Sequence, residues 1–502
     1  MGKGQGLQLV FNKVSFTYPR TSKEVLLDIN LQLTPGWTGF VGANGGGKTT
    51  LLQLACNRLR PQTGVITAPA HHQYCPQRTD AAPEHFSAFL ASQNAYRYMD
   101  ALAIGYDWDQ RWHTLSHGER KRAQLAVALW VEPDLLAVDE PTNHLDEHAQ
   151  QLIFKALAGF RGIGLLVSHD RDLLDRLCLH TVFLDQGRID KRVGNYSEST
   201  LEVEREALAQ RRCYERTRKE RRRLEREAHK AREAVARSSS RLSKRNVHRN
   251  DRDTRAKINL ARLTGKDTVP ARLQKRLETR VHRLAAREGD LQPKKEVSLG
   301  IRFDGHRGNR QILAIEPGNL VFGDDKEMSG ALTFPALVLH RGERVGISGP
   351  NGSGKSTFLR FLLGKLPAGK GLFYLPQEVT KEQGIALLKE IKALSGPARG
   401  RLMQLVSRLG SDPKRLLVSH LPSPGETRKL MLATGLLQQP SLLVLDEPTN
   451  HLDLPSVNCL SQALSETECA LVLVSHDARL LSTLADRRWR VRGTAPKFHL
   501  EE

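Results

Sequence analysis

The sequence lacks long hydrophobic runs and is poor in aromatic residues, which make up 6% of its 502 positions. No apolar stretch approaches the roughly 18–20 residues that a membrane-spanning helix requires. The first residues lead directly into a strand-like segment and contain no apolar core of the kind found in signal peptides. We therefore expect a cytoplasmic protein with no membrane partner.

Cysteine is also scarce, with six residues scattered along the chain and no C-x-x-C spacing. Zinc sites typically place two cysteines three positions apart, and disulfide frameworks belong to short secreted chains. We therefore expect reduced structural thiols. A length of 502 residues predicts two or three domains with substantial hydrophobic cores.

Acidic residues are in the minority. The chain has 76 Lys and Arg against 55 Asp and Glu, which gives a formal net charge of +21. Residues 201–290 hold 28 basic and 14 acidic side chains, so +14 of this charge falls on that segment. Such an excess suggests a polyanionic partner, because charge governs association more than fold.

The chain contains a long internal repeat. The string DEPTNHLD at Asp139–Asp146 recurs unchanged at Asp446–Asp453, an offset of 307 positions. The same offset relates three further pairs: Lys48 and Lys355, Ser116 and Ser423, and His169 and His476. Gln77 and Gln377 differ by 300 positions, which indicates an insertion or deletion between motifs. Matched blocks in the same order indicate a tandem duplication.

The repeat divides the chain into three segments. We expect domains at 1–197 and 298–502, joined by a linker at 198–297. Each repeated half alternates short apolar runs with helical segments, a pattern typical of α/β domains with mostly parallel sheets. The linker predicts two long helices, about 200–240 and about 265–288, around a bend at residues 238–253.

Each half contains a loop of the form G-x-x-x-x-G-K-[ST], which follows an apolar run and opens a helix. Glycines at these positions let backbone N–H groups close around phosphate oxygens, the lysine adds positive charge, and the hydroxyl can bind Mg²⁺. The helix N-terminus also favours an anion. The predicted nucleotide-binding residues are Gly42, Asn44, Gly45, Gly47, Lys48, Thr49 and Thr50 in the first half and Gly349, Asn351, Gly352, Gly354, Lys355, Ser356 and Thr357 in the second.

Two further motifs predict hydrolysis of the bound nucleotide. Asp139 and Asp446 end buried strands and are expected to hold Mg²⁺ together with Thr49 and Ser356. The next residues, Glu140 and Glu447, are placed to orient or deprotonate the attacking water. His169 and His476 follow other apolar strands, where an imidazole can reach a γ-phosphate. ATP and Mg²⁺ are the expected cofactors.

These residues resemble the ATP-binding-cassette family, and the resemblance covers both halves. Leu115–Glu119 and Ser423–Glu426 resemble its signature motif, and Gln77 and Gln377 match its glutamine loops. The resemblance implies two P-loop domains paired head to tail, with Lys48 facing Ser423 and Lys355 facing Ser116. It also implies that Ser116, Gly118, Ser423 and Gly425 bind ATP, that Gln77 and Gln377 contact ATP and metal, and that Tyr18 stacks on adenine in the first half. The second half has no matching pattern for the adenine contact, and Phe322 is the residue expected there.

The signature motifs depart from the family pattern. His117 and Pro424 stand where the family has glycine, and Pro422 stands where it has leucine. Because proline has no N–H, we expect a weaker phosphate clamp at Ser423 than at Ser116. Both halves retain the glutamate, so we expect two hydrolytic sites, whose relative activity the sequence leaves open.

Two cassettes in one chain, the DEPTNHLD strings and a long charged linker resemble the ABC-F subfamily. That resemblance implies a protein that binds the ribosome near the E site, reaches P-site tRNA and the peptidyl-transferase centre with its linker, and is released on ATP hydrolysis. A translation factor is the first interpretation and an antibiotic-resistance protein the alternative. Less expected are a transporter-associated ATPase and a DNA-maintenance ATPase. We expect a monomer with intramolecular cassette pairing and no DNA partner.

The linker composition supports an RNA partner independently. Near residues 215–235 acidic and basic side chains alternate, as they do on a solvated coiled-coil hairpin, but residues 237–249 contain no acid. Aromatics are nearly absent there, so contact with the RNA backbone is expected rather than base stacking. The predicted contacts are Arg237, Arg241, Lys244, Arg245, Arg249, Arg252 and Arg255.

Overall fold

A computed structural model of the chain describes residues 6–19, 24–143, 145–241, 253, 256, 260, 268–292, 308–324, 327–366, 371–419 and 421–502. The chain divides into two compact units. One combines Met1–Ser199 with Val297–Glu502 and holds both halves of the repeat, and the other is Thr200–Glu296. Within the described ranges, no helix is both long enough and apolar enough to cross a bilayer.

The first half alternates strands and helices, as predicted. Its described strands are β1 Leu9–Thr17, β2 Glu24–Leu33, β3 Gly36–Gly42, β4 Thr63–Thr67, β5 His72–Cys75, β6 Leu135–Asp139, β7 Ile163–Val167, β8 Cys178–Asp185 and β9 Arg188–Val193. Its described helices are α1 Lys48–Ala55, α2 Phe86–Ala91, α3 Tyr96–Leu102, α4 His117–Trp130, α5 Glu147–Ala158 and α6 Arg171–Leu177. One sheet has the order β5-β6-β7-β3-β8-β9, and β2-β1-β4 form another.

The second compact unit contains two long helices. Helix α7 spans Tyr196–Arg241, beginning just before the unit, and α8 spans Thr268–Asp290. Ion pairs join them in antiparallel order: Arg221–Glu288 at 2.6 Å, Arg280–Glu220 at 3.0 Å and Arg232–Glu278 at 2.8 Å. These helices confirm the helical linker. Residues 238–241, predicted as the start of the bend, are helical because α7 continues through them, and most of the remaining bend lies outside the described residues.

The second half repeats the alternation. Its described strands are β10 Gly308–Ile315, β11 Gly318–Asp324, β12 Glu327–Phe334, β13 Leu337–Arg341, β14 Arg344–Ser348, β15 Leu372–Leu375, β16 Leu442–Asp446, β17 Ala470–Val474, β18 Arg487–Thr494 and β19 Lys497–Glu501. Its described helices are α9 Lys355–Lys365, α10 Lys381–Ala393, α11 Gly396–Arg408, α12 Pro413–Val418, α13 Pro424–Leu437, α14 Leu454–Ser465 and α15 Ala478–Leu484. The large sheet has the order β11-β12-β19-β18-β14-β17-β16-β15, and β10 pairs with β13.

The central strands are parallel and level at one edge. Val167 at the end of β7 pairs with Phe40 of β3 on one side and with Asp139 of β6 on the other. Val474 of β17 likewise lies between Ile347 of β14 and Asp446 of β16. Strands β6, β7, β16 and β17 are buried along their whole length, as their uninterrupted apolar runs predict. The residues that follow each strand therefore meet at the same sheet edge.

Apolar side chains cover both faces of each large sheet. Trp37 packs in the first half, and its indole Nε1 donates to the carbonyl of Leu157 at 3.0 Å. In the second half, Trp489 is 1% exposed and packs with Phe358 at a ring-centroid distance of 6.3 Å. Its indole nitrogen is buried and has no hydrogen-bond partner among the described residues. Trp489 therefore contributes through packing.

We expect Trp489→Ala to lower the free energy of unfolding by about 3–5 kcal/mol, because it leaves a large cavity in a buried core. Trp489→Phe should lower it by less, since the phenyl ring fills most of the space and removes an unbonded N–H. Urea denaturation followed by circular dichroism measures both. Val321→Ala, at a side chain that is 54% exposed, serves as control and should change stability by less than about 0.5 kcal/mol. Equal effects of the alanine and phenylalanine variants would contradict a packing role.

Candidate active site

The two predicted phosphate loops connect a central strand to a helix. The first joins β3 to α1 and the second joins β14 to α9. Gly47 and Gly354 cap these helices with φ angles of 100° and 84°, a left-handed conformation that glycine adopts without strain. The first N–H groups of α1 and α9 are thus available to an anion.

Both loop lysines are buried and fold over their own loops. Lys48 Nζ donates to the carbonyls of Gly42 at 2.8 Å and Ala43 at 3.0 Å. Lys355 Nζ makes the equivalent contacts to Gly349 at 2.9 Å and to the following proline at 2.6 Å. Burial lowers the pKa of both lysines. An ammonium has three N–H donors, so one remains for a phosphate oxygen in each loop.

Each loop also contacts the opposite half of the repeat. The backbone N–H of Asn44 donates to Asp453 Oδ2 at 2.8 Å, and that of Asn351 donates to Asp146 Oδ2 at 3.2 Å. The two aspartates end the two DEPTNHLD strings. These reciprocal bonds pair the halves head to tail, as the resemblance implied.

A second contact lies where equivalent positions of the two halves meet. Asp172 and Arg479 occupy the same position in the repeat, 307 residues apart, and Arg479 Nε lies 2.7 Å from Asp172 Oδ1. Arg479 also pairs with Asp175. Equivalent residues touch each other only near a two-fold axis. The two halves are therefore related by an approximate two-fold rotation.

Two predicted metal ligands are in direct contact at each sheet edge. Thr49 Oγ1 donates to Asp139 Oδ2 at 2.8 Å. In the second half, Ser356 Oγ donates to Gln377 Oε1 at 3.4 Å, and both carboxylate oxygens of Asp446 are buried without a hydrogen-bond partner among the described residues. Hydroxyl and carboxylate oxygens of this kind suit Mg²⁺. Gln77 is exposed beyond β5.

The two glutamates are strained and buried. Glu140 and Glu447 both have φ of 47°, which is unusual for a residue with a side chain. Burial raises the pKa of Glu140 to about 7 and that of Glu447 to about 8, against the opposing effects of Lys48 and Lys355. Strained residues with perturbed pKa values at a strand end are typical of functional sites.

Each glutamate faces the histidine of its own half. His169 Nε2 lies 3.1 Å from Glu140 Oε1, and His476 Nε2 lies 3.5 Å from Glu447 Oε1. Burial lowers the pKa of His169 to about 3 and that of His476 to about 4. Both imidazoles are therefore neutral near pH 7, and each offers one donor and one acceptor nitrogen.

The signature motifs begin helices α4 and α13. Ser116 accepts from the N–H of Glu119 at 3.3 Å, and the Glu119 side chain accepts from the N–H of Ser116 at 2.8 Å. Ser423 and Glu426 form the same capping box at the same distances. Pro424 occupies the first helical position, where its missing N–H does not disturb the helix. The weaker clamp at Ser423 remains a prediction.

A cavity of about 1000 Å³ surrounds the second phosphate loop. Asp146 and His169 of the first half contribute to its wall. Phe322 also lines the cavity and packs against Gly354. In the first half, the hydroxyl groups of Tyr18 and Thr50 share a hydrogen bond of 3.0 Å. The predicted residues in its lining are Gly349, Asn351, Gly352, Gly354, Lys355, Ser356, Thr357, Gln377, Asp446, Glu447, His476 and His169. Ser116 and Gly118 are not among the described residues of this lining.

The structure adds residues that sequence reasoning missed. Tyr74 Oη donates to Asp139 Oδ2 at 3.2 Å, a bond that the glutamine-loop match at Gln77 does not indicate. Lys121 and Arg428 are 0% and 2% exposed, although they stand in helix starts rich in Arg and Lys. Their equal spacing from Ser116 and Ser423 was the available signal.

Of the predicted linker contacts, Arg237 is exposed on α7 and lies 3.3 Å from Glu233. Arg241 is the last residue of α7. Lys244, Arg245, Arg249, Arg252 and Arg255 lie outside the described residues.

Comparison with known proteins agrees with this geometry. A family model described as "ABC transporter" matches residues 26–143 and 335–450. The chain is 32% identical to the ribosome protection protein VmlR of Bacillus subtilis, over 93% of this chain and 83% of that protein. It is 31% identical to the tylosin resistance ATP-binding protein TlrC of Streptomyces fradiae, over 93% and 94%. The chain belongs to the ABC-F family of ATPases.

Solved structures support the tandem-cassette fold of this ABC-F protein. The archaeal ribosome recycling factor aABCE1, in complex with the stalk protein aP1, superposes with a TM-score of 0.60 at 17% identity, covering 97% of this chain and 89% of that chain. A structure described as RNase-L inhibitor gives a TM-score of 0.60 at 18% identity, over 97% and 90%. These likenesses concern the fold. The predicted class, two ABC-type α/β domains joined by a helical linker, is confirmed.

Separate substitutions test the two glutamates. We expect Glu140→Gln and Glu447→Gln each to remove the share of ATP turnover that its own site supplies, because glutamine cannot accept a proton. The double variant should lose about 10²–10⁴-fold in kcat. Steady-state phosphate release measures turnover, and binding of a fluorescent ATP analogue checks that nucleotide still binds. Full turnover in either single variant would show that its site is not hydrolytic.

The raised pKa values predict a pH profile. The catalytic form needs an ionised glutamate, so kcat/KM for ATP should rise by up to about tenfold per pH unit below pH 7, because one deprotonation sets the slope. It should level off about one pH unit above the higher of the two pKa values, which are about 7 for Glu140 and about 8 for Glu447, because both glutamates are then largely ionised. The histidines, which are already neutral in this pH range, should add no further pH dependence to the profile. In Glu447→Gln the midpoint should move toward 7, and a profile that is flat from pH 6 to pH 9 contradicts the assignment.

Proposed function

We propose that this ABC-F ATPase is a cytoplasmic translation factor that binds the ribosome near the E site. Its linker reaches P-site tRNA and the peptidyl-transferase centre, touching tRNA and rRNA, and ATP hydrolysis releases it. The observation that carries the proposal is the concentration of +14 of the +21 net charge on residues 201–290, between two cassettes with close to ordinary charge. One relative, named a ribosome protection protein, supports binding to the ribosome.

The charge of the hairpin is uneven along its length. In the described stem, exposed arginines face acids: Arg223 lies 3.0 Å from Glu227, and Arg232 lies 2.8 Å from Glu278. These arginines are compensated within the hairpin. Residues 238–249 hold Arg241, Lys244, Arg245 and Arg249 and contain no acid of their own, so phosphate groups of a nucleic acid would compensate these charges. Contact with RNA is therefore proposed at that end of the hairpin.

Hydrolysis would proceed at two sites built from both cassettes. Lys48 and Lys355 would bind β- and γ-phosphate oxygens, with the N-termini of α1 and α9 below them. Glu140 and Glu447 would orient the attacking water and accept its proton. His169 and His476, as neutral imidazoles, would donate to a γ-phosphate oxygen. Bound Mg²⁺, held by Asp139 with Thr49 and by Asp446 with Ser356, would neutralise charge developing on the phosphates.

The cassettes pair within one chain in this proposal, so a monomer can form both sites. The signature serines, Ser116 and Ser423, would close over the γ-phosphate held by the opposite loop. Their capping boxes place the hydroxyl at a helix N-terminus, where the dipole favours an anion. Closure would then depend on nucleotide in both sites, and hydrolysis would permit opening.

Ribosome protection against antibiotics is the second candidate function. Two of the similar proteins are named for ribosome protection and for tylosin resistance, and the chain covers 83% and 94% of their lengths. Drug susceptibility of a sensitive host that expresses this gene separates the candidates. A raised inhibitory concentration for ribosome-targeting drugs favours protection, and unchanged susceptibility favours the translation factor.

Sedimentation tests the proposed partner. The Glu140→Gln/Glu447→Gln variant should retain ATP and co-sediment with ribosomes through sucrose. Lys244→Gln/Arg245→Gln/Arg249→Gln should weaken that binding and lower its salt slope by about one for each phosphate group that the linker no longer binds. Basal ATP turnover should stay unchanged.

A matched variant controls for the removal of three charges. Arg211→Gln/Arg223→Gln/Arg232→Gln removes arginines that face Glu215, Glu227 and Glu278, and should leave ribosome binding close to the parental value. Sedimentation of the glutamine double variant with membranes or nucleoid, and not with ribosomes, would overturn the proposal.

A further inference from the structure

Two buried cations stand at equivalent positions of the signature helices. Lys121 lies on α4, five residues after Ser116, and Arg428 lies on α13, five residues after Ser423. They are 0% and 2% exposed. A buried charge is costly unless polar groups compensate it. Both halves of the repeat keep a cation here although its residue type differs, so what these cations contact is informative.

Each cation donates hydrogen bonds to backbone carbonyls of the glutamine loop and of the strand end that carries the predicted metal-binding aspartate. Lys121 Nζ donates to the carbonyls of Pro76 at 2.6 Å and Asp139 at 2.9 Å. Arg428 donates to the carbonyls of Pro376 at 2.9 Å, Gln377 at 3.1 Å and Asp446 at 3.0 Å. In each half the cation thus joins the signature helix to the glutamine loop and to the residue predicted to bind metal.

The two halves reach three carbonyls by different means. In the first half Gln124, one turn after Lys121, donates to the carbonyl of Arg78 at 2.8 Å. The equivalent residue in the second half is Met431, whose thioether cannot donate. There the five-donor guanidinium of Arg428 makes all three bonds by itself. Lysine with glutamine, or arginine with methionine, therefore makes three bonds to backbone carbonyls. The proline and aspartate carbonyls are equivalent in the two halves, whereas the third is that of Arg78 in the first half and of Gln377 in the second.

These contacts fix the peptide unit before each strained glutamate. The carbonyl of Asp446 accepts from Arg428, and the N–H of Glu447 donates to the carbonyl of Val474 at 2.9 Å. The corresponding N–H of Glu140 donates to Val167 at 2.8 Å. Both ends of the Asp–Glu peptide are thus bonded, which holds the unfavourable φ of 47° at the glutamate.

We propose that Lys121 and Arg428 are positioning residues: each holds the metal-binding aspartate, the hydrolytic glutamate and the glutamine loop of its cassette in place relative to the signature helix. They act through the backbone and do not touch the nucleotide. The charge of Arg428 persists at neutral pH, since burial lowers its pKa only to about 10 while Glu447 and Asp446 oppose the shift. An outer contact of this kind commonly changes metal affinity by about 10–100-fold.

Exchanging the Lys–Gln pair of the first half and the Arg–Met pair of the second tests the proposal. Arg428→Met should raise the Mg²⁺ concentration for half-maximal ATP turnover by about tenfold or more and speed hydrogen exchange at the amide of Glu447. Arg428→Lys should give an intermediate effect, because it keeps the charge but bonds one carbonyl fewer. Arg428→Lys/Met431→Gln, which recreates the arrangement of the first half, should restore both readouts.

The reverse exchange, Lys121→Arg/Gln124→Met, should retain parental Mg²⁺ dependence in the first half. Thermal unfolding of every variant separates positioning from loss of fold. If Arg428→Met does not fold, the comparison of Arg428→Lys with its double variant carries the test. The proposal would be overturned if Arg428→Met kept the parental Mg²⁺ dependence and the parental rate of hydrogen exchange at Glu447. The same outcome in Arg428→Lys would overturn it where that variant carries the test. So would failure of Met431→Gln to rescue Arg428→Lys.

Discussion

The reciprocal hydrogen bonds between each phosphate loop and the opposite DEPTNHLD string constrain everything else in the catalytic unit. In these bonds the backbone N–H of Asn44 donates to the Asp453 carboxylate, and that of Asn351 donates to the Asp146 carboxylate. Because the donors are backbone groups, the bonds fix the position of each loop's main chain. Each phosphate loop is therefore held in position by a carboxylate of the other half. In each half, the parallel sheet brings the phosphate loop, the Asp–Glu pair and the histidine to one edge.

Much of the catalytic unit could be predicted from the sequence because its signals are local or repeated. Strands such as β6 and β16 are short and apolar up to a final aspartate, which a glutamate follows. This pattern is sufficient to place them as buried strands at a functional edge. The capping boxes at Ser116 and Ser423 follow from Ser-x-x-Glu spacing. Because most of these motifs recur at an offset of 307 residues, each match in one half is supported by its counterpart in the other.

Other features were out of reach for physical reasons. Lys121 and Arg428 stand among other basic residues, and no periodicity shows that one cation of such a run points into the core. The ion pair between Asp172 and Arg479 depends on the rotation between the halves. The residue expected to stack on adenine was ambiguous in the second half because its sequence has no counterpart of the Phe16–Pro19 string.

The pair formed by Asp172 and Arg479 also bears on which cassettes associate favourably. These residues are equivalent, and they meet beside the axis that relates the two halves. If two first cassettes paired in the same way, an aspartate would face an aspartate, and two second cassettes would oppose two arginines. Like charges at such a contact repel each other. At this duplicated position the side chains therefore favour the pairing of a first with a second cassette over the pairing of two like cassettes.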